Sequence, residues 1–95
     1  MRRAAKIDDN QTEIVKALRK AGCSVFISSG MGDGFPDLTV GRYTRSRGAQ
    51  TFLLEVKRNH RAGLTSEQKK FHGSFKGHKA IVCTPDEALI AVGIF

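Results

Sequence analysis

Gly34-Phe35-Pro36-Asp37-Leu38-Thr39-Val40 and, beyond a basic loop, Thr51-Phe52-Leu53-Leu54-Glu55-Val56-Lys57 decide how this chain folds. Pro36 fixes its own φ and pushes Phe35 towards extended backbone, so Asp37 enters a strand in a defined orientation. In the second segment strand alternation puts Phe52, Leu54 and Val56 on one face and Leu53, Glu55 and Lys57 on the other. That second face begins apolar and ends charged. Charged groups beside strands need a reason, and here two acids and a lysine are placed together.

Outward from this stretch, the preceding segment reads as a helix and a strand. Ile14, Leu18 and Ala21 recur at helical spacing within Gln11–Gly22, with Val15 and Ala17 widening the stripe. Asn10 is the expected N-cap, Asp8 and Asp9 add negative charge before the first turn, and Gly22 supplies the stop. Glu13 falls just outside the apolar arc, at the rim of the core. Ser24-Val25-Phe26-Ile27-Ser28 is β-branched and aromatic, hence a strand, and the glycine-rich run to Gly34 is expected to be a flexible connection. Gly41–Gln50 reads as a basic hairpin loop.

Downstream, Arg58–Gly63 is a polar linker. Thr65 then caps a second helix with Gln68 three residues on, and Gln68, Phe71, His72 and Phe75 share one stripe of it. Ala80-Ile81-Val82-Cys83 is apolar throughout and is expected to be a central strand. Thr84-Pro85-Asp86-Glu87 predicts a third helix with cap, proline at the first helical position and capping-box glutamate; it carries Ala88, Leu89 and Val92, and Ile94-Phe95 follow. The order is one helix, three strands, a helix, a strand and a helix, predicting an α/β fold with a mixed four-stranded sheet flanked by helices and a C-terminal helix.

With 95 residues the chain is expected to form a single domain over residues 1–95, because two cores would each bury too little apolar surface. Self-association would help so small a core. No apolar run approaches the roughly 20 residues that span a bilayer, and Met1–Lys6 lacks the apolar segment of a secretory signal, which predicts an intracellular protein with no membrane partner. Cys23 and Cys83 read as buried apolar fillers. Neither has a second cysteine or a histidine at zinc-ligand spacing, and His60, His72 and His78 share no ligand pattern, which argues against a zinc role. His72 is expected to be a partly buried partner for a site residue.

The formal net charge is +7, and residues 40–80 hold ten of the sixteen Lys and Arg but only Glu55 and Glu67 of the nine acids. Such clustering predicts a polyanionic partner bound through phosphate contacts. Hydrolysing a phosphodiester calls for charge neutralisation, an activated water and a stabilised leaving oxygen, which carboxylate-held divalent metal supplies. Magnesium takes oxygen ligands and needs only one or two carboxylates. Asp37 and Glu55 can provide them if their strands are neighbours. Lys57, two residues from Glu55 on the same face, would put its ammonium near the water or the phosphate. Each residue alone has a plainer explanation: Asp37 as a turn residue, Glu55 and Lys57 as a solvated pair, Glu13 as a partner of Asn10 or Lys16, Gln68 as a capping residue. Their conjunction outweighs these.

Gly34-Phe35-Pro36-Asp37, Glu55-Val56-Lys57 and Leu64-Thr65-Ser66-Glu67-Gln68 with Phe71 and His72 together resemble the PD-(D/E)XK nuclease superfamily and, within it, the VRR-NUC family, over nearly the whole chain. The resemblance implies a restriction-endonuclease-like αβββαβ core and a Mg²⁺- or Mn²⁺-dependent endonuclease without organic cofactor. It makes Asp37, Glu55 and the Val56 carbonyl metal ligands, puts Lys57 at the water, assigns Glu13 to the metal or its waters, and gives Gln68 a positioning role. Small members resemble Holliday-junction resolvases, implying a homodimer acting on branched DNA in the cytoplasm of a prokaryote or phage-infected host. The flap-directed activities of large members, which carry additional DNA-binding modules, are not implied.

Two alternatives stay open. A non-catalytic nucleic-acid-binding module would use Arg42, Arg45, Arg47, Arg58, Arg61, Lys69 and Lys70 on phosphates, with Tyr43 stacking on a base. A restriction-type nuclease would cut ordinary duplex with the arginines of residues 42–47 reading bases.

Overall fold

The computed structural model describes residues 9–94. Met1–Lys6, Asp8 and Phe95, which figured above as a leader without signal character, a helix-flanking acid and an apolar end, lie outside the described residues. The elements run α1 (Asp9–Lys20), β1 (Ser24–Ile27), a single 3-10 turn (Ser29–Met31), β2 (Leu38–Thr44), β3 (Gly48–Val56), α2 (Ser66–Ser74), β4 (His78–Val82) and α3 (Pro85–Ala91). This is the predicted order. The four strands form one mixed sheet in the order β1-β2-β3-β4. β1, β2 and β3 are antiparallel neighbours, and β4 returns parallel to β3 through α2.

One sheet face makes the core. Val25, Leu38, Val40, Phe52, Leu54, Val56 and Val82 pack there against Ile14, Val15 and Leu18 of α1 and Ala88 and Val92 of α3. Leu38, Leu54, Ile14 and Leu18 are fully buried, so truncating any one to alanine would cost about 2–5 kcal/mol. The predicted alternation in β3 holds: Phe52, Leu54 and Val56 join this core while Leu53 and Glu55, also buried, belong to the opposite face.

Three expectations are corrected. β4 is an edge strand and not a central one, and Ile81, paired with Glu55 on the face away from the core, is 48% exposed. Asn10 lies inside α1 instead of capping it. Its side-chain amide donates to the carbonyls of Lys57 (2.8 Å) and Cys83 (3.1 Å), tying the start of α1 to the ends of β3 and β4. The loop expected over Gly41–Gln50 is largely strand: β2 and β3 stay paired out to Thr44 and Gly48, with only Arg45, Ser46 and Arg47 in the turn. Gly48 has φ +72°, a left-handed conformation that closes such a three-residue turn. The tip is polar on both faces, so no apolar periodicity announced the strands.

Capping matches prediction in α2. Thr65 Oγ1 accepts from the Gln68 N–H (3.2 Å) and Gln68 Oε1 accepts from the Thr65 N–H (2.9 Å), a complete capping box. In α3 the Thr84 hydroxyl caps the Glu87 N–H, but the Glu87 carboxylate reaches past the cap to accept from the Cys83 N–H (2.7 Å).

Candidate active site

Asp37 is fixed before it is functional. The turn leading to it has positive φ at both Asp33 (56°) and Gly34 (79°), closed by Phe35 N–H to the Gly32 carbonyl (3.0 Å). An Asp-Gly pair with two positive φ values is the type I′ pattern, so the expected flexible connection is an ordered turn. Ser28 then straps the next peptide: its N–H donates to the Asp37 carbonyl (2.7 Å) and its hydroxyl to the Pro36 carbonyl (2.8 Å). Across the sheet, the Val56 N–H donates to Asp37 Oδ2 (2.8 Å). Ser28 thus fixes the Asp37 backbone from one side, and Val56 fixes its carboxylate from the other.

Leu38 pairs with Leu54, so Asp37 and Glu55 stand at adjacent positions where β2 begins and β3 ends. Glu55 is 2% exposed. Burial first, then a hydrogen bond shared with the Asp37 carboxyl and repulsion from its charge, raise its pKa from 4.5 to about 8 against the opposing pull of Lys57. Its two oxygens differ. Oε2 accepts from Gln68 Nε2 (3.1 Å) and lies 3.8 Å from Lys57 Nζ, whereas Oε1 is buried with no hydrogen-bonding donor. An unpaired buried carboxylate oxygen costs free energy until a proton or cation meets it.

Lys57 and Gln68 complete the cluster. Lys57 Nζ donates to Gln68 Oε1 (2.9 Å), so Gln68 caps α2, orients the lysine and holds Glu55 with one amide group. α2 is brought to this position by Gly34. A Cβ at residue 34 would overlap the Glu67 carbonyl and lie 2.8 Å from the Gln68 nitrogen. Phe35 also packs edge-on against Phe71, with ring centroids 5.4 Å apart. The Gly-Phe-Pro-Asp segment thus positions a carboxylate and, through glycine and phenylalanine, the helix that carries Gln68.

Of the other predicted residues, Glu13 is exposed on α1, one helical turn beyond Asn10, and the structure records no hydrogen bond or ion pair from its carboxylate to another described residue. His72 is half-buried with Nε2 unpaired; burial, Lys79 and Lys57 lower its pKa. Arg42 turns to the core side, where it donates to the Val92 carbonyl (3.0 Å) and the Gly93 carbonyl (3.3 Å) at the end of α3. Tyr43, Arg45 and Arg47 are exposed towards the hairpin tip, and Arg58, Arg61, Lys69 and Lys70 are exposed in segments that adjoin Lys57 and Gln68. Because β2 runs away from Asp37, the tip lies roughly 20 Å from the carboxylates.

Sequence reading missed Asn10 and Ser28 as positioning residues. A polar side chain at a strand end or helix start is read locally, and nothing in the sequence marks a partner 47 or 73 residues away. No family model, curated protein or solved structure matches this chain.

Proposed function

We infer that this chain is a metal-dependent endonuclease whose centre is Asp37, Glu55, Lys57 and Gln68. The observation that carries the reading is Glu55: an acid buried to 2% exposure against a second carboxyl, an arrangement that raises its pKa to about 8. The donors fit a hard divalent ion such as Mg²⁺ or Mn²⁺, which takes oxygen ligands; Asp37, Glu55 and the Val56 carbonyl would hold it. When bound, it would neutralise phosphoryl charge and activate water.

The chain's own residues do the rest. Asp37 keeps one oxygen on the Val56 N–H and offers the other. Lys57, steadied by Gln68 Oε1, brings a positive charge to the edge of the carboxylate pair, where it meets a phosphate oxygen or the attacking water. Exposed Arg58, Arg61, Lys69 and Lys70 supply phosphate contacts near the centre, while Arg45 and Arg47 reach the duplex farther along.

The sequence resemblance extends this proposal to a restriction-endonuclease-like core of the VRR-NUC kind, to branched DNA and to a homodimer in a prokaryotic or phage-infected cytoplasm. Apolar side chains left open on both sheet edges, Phe26 (72% exposed) and Ile27 on β1 and Ile81 on β4, favour self-association.

The test is incubation of purified protein with a labelled four-way junction, linear duplex and single strand, with Mg²⁺, Mn²⁺ or chelator. Metal-dependent cutting is expected, strongest on the junction. Asp37→Ala and Lys57→Ala should each lower cleavage by about 10²-fold or more while leaving binding largely intact. Absence of metal-dependent cutting of every substrate across several salt concentrations overturns the enzyme reading, and binding indifferent to chelator then leaves a basic binding module.

A further inference from the structure

A separate group of side chains gathers where the segment after Lys57 meets the start of α3. His60 Nε2 contacts Glu87 Oε2, and the ligand atoms of His60, Cys83 and Glu87 all lie within 4.8 Å of one another. The three come from three places in the fold: the polar linker, the end of β4 and the first turn of α3. No sequence spacing joins them, which is why the cysteine read as a simple core filler.

We propose that His60, Cys83 and Glu87 form a site for a borderline divalent transition ion of the Zn²⁺ class, distinct in residues and in ligand chemistry from the carboxylate pair. Imidazole, thiolate and carboxylate is a mixed donor set that such ions accept in tetrahedral geometry with one position left for water, whereas Mg²⁺ selects oxygen alone.

Binding requires the ligand atoms, now within 4.8 Å of one another, to settle at a common tetrahedral spacing. With zinc bonds of roughly 2.0 Å to nitrogen or oxygen and 2.3 Å to sulfur, tetrahedral ligands stand roughly 3.3–3.6 Å apart. The His60 side chain is 74% exposed and can retreat from Glu87 to that separation. Glu87 is already aimed: its Oε1 is fixed by the Cys83 N–H, which leaves Oε2 as the single ligating oxygen and supplies the outer hydrogen bond that metal carboxylates use. On the His60 side, Asn59 Oδ1 accepts from the N–H groups of Arg61 (2.9 Å) and Ala62 (3.1 Å), holding the turn that presents the imidazole.

Binding forms a metal–sulfur bond and releases the Cys83 proton to solvent, so uptake strengthens as pH rises. It would also pin the linker bearing exposed Arg58 and Arg61 to the C-terminal helix. The ion's role is to fix a phosphate-contacting segment, not to act on the scissile bond.

Cobalt(II) is the probe, added to the intact metal-free protein in Mg²⁺-containing buffer and followed by absorption. The expected result is a saturable near-ultraviolet sulfur-to-cobalt charge-transfer band at one equivalent, bleached by Zn²⁺ and unaffected by Mg²⁺. The band should be lost in Cys83→Ser and kept in Cys23→Ser. Since Cys83 is buried, the surface variant His60→Ala is the second arm: it should weaken cobalt binding by more than the roughly 100-fold that marks the upper end of losing an outer partner. Asp37→Ala should bind cobalt at sulfur as the parent does. No thiolate band in the parent protein, or a band unchanged in His60→Ala, overturns the site irrespective of whether the protein cleaves DNA.

Discussion

Gln68 and Glu55 are joined by one hydrogen bond, Nε2 to Oε2 at 3.1 Å, and through it the start of α2 is tied to the most buried charge-bearing group of the sheet. The oxygen of that amide, Gln68 Oε1, accepts from Lys57 Nζ and from the Thr65 N–H. Capping and site geometry are therefore one interaction set.

Gln68→Ala should lower metal-dependent cleavage by about 10- to 100-fold, the scale of outer-sphere loss at a metal centre, and destabilise the fold by about 1 kcal/mol through the lost cap. Thr65→Ala separates the two effects, because it removes the hydroxyl cap and keeps the amide. It should show a similar loss of stability with most of the cleavage rate retained. Equal rates in the two variants would mean that Gln68 serves only as a cap.

Gly34→Ala touches none of the four site side chains. The added Cβ meets the Glu67 carbonyl, and φ at +79° is strained for alanine. A stability loss of roughly 1–3 kcal/mol is expected from the backbone conformation. Displacement of α2 should add a cleavage defect resembling that of Gln68→Ala. Thermal unfolding and cleavage kinetics on the same preparation check both; a fully active, fully stable variant would show that the close approach of loop and helix is dispensable.

Glu55 should govern how stability of the metal-free protein varies with pH. Its folded pKa is raised from 4.5 to about 8, so between these values the folded chain binds more protons than the unfolded one. The stability contributed is full below the unfolded value and is lost as pH rises through about 8. His72, whose pKa is lowered, pulls the opposite way around its own unfolded value. Comparison with Glu55→Gln isolates the glutamate: melting temperatures of chelator-treated parent protein should fall relative to this variant on the alkaline side. Mg²⁺ should restore the parent and not the variant. Parallel profiles would overturn the assignment.

Arg45→Ala combined with Arg47→Ala should weaken DNA binding without regard to sequence and reduce the slope of log K against log salt by roughly 0.9 for each lost phosphate contact. Cleavage of saturating substrate should change little, as the turn is roughly 20 Å from the carboxylates. Altered base preference in the variant would instead point to direct reading of the groove.

Much of the geometry of the candidate site is legible in the sequence because its parts are local. Proline before Asp37, alternation through Glu55 and Lys57, and the Thr65–Gln68 spacing each act within a few residues. Long-range placement is not. An apolar run such as Ala80–Cys83 signals burial without saying on how many sides, and the parallel return to β3 leaves it at an edge. Asn10 reads locally as a cap because its partners, the Lys57 and Cys83 carbonyls, are neighbours only after the sheet forms. Charge also misled in part: Arg42 counts towards a basic stretch, yet its guanidinium is committed to the end of α3.

α2 contains no buried residue. It is moored by the Gln68 amide, the Phe35–Phe71 ring contact and the seat against Gly34, whereas Asp37 immediately precedes β2 and Glu55 stands on β3, strands sealed by the main core. The two halves of the site therefore differ in opening free energy. Amide protons of α2 should exchange with solvent deuterium well ahead of those in β2 and β3, and opening of α2 would release Gln68 from both Lys57 and Glu55 while the strands stay paired. Substrate that engages Lys69 and Lys70 would close this helix, making assembly of the centre conditional on what is bound.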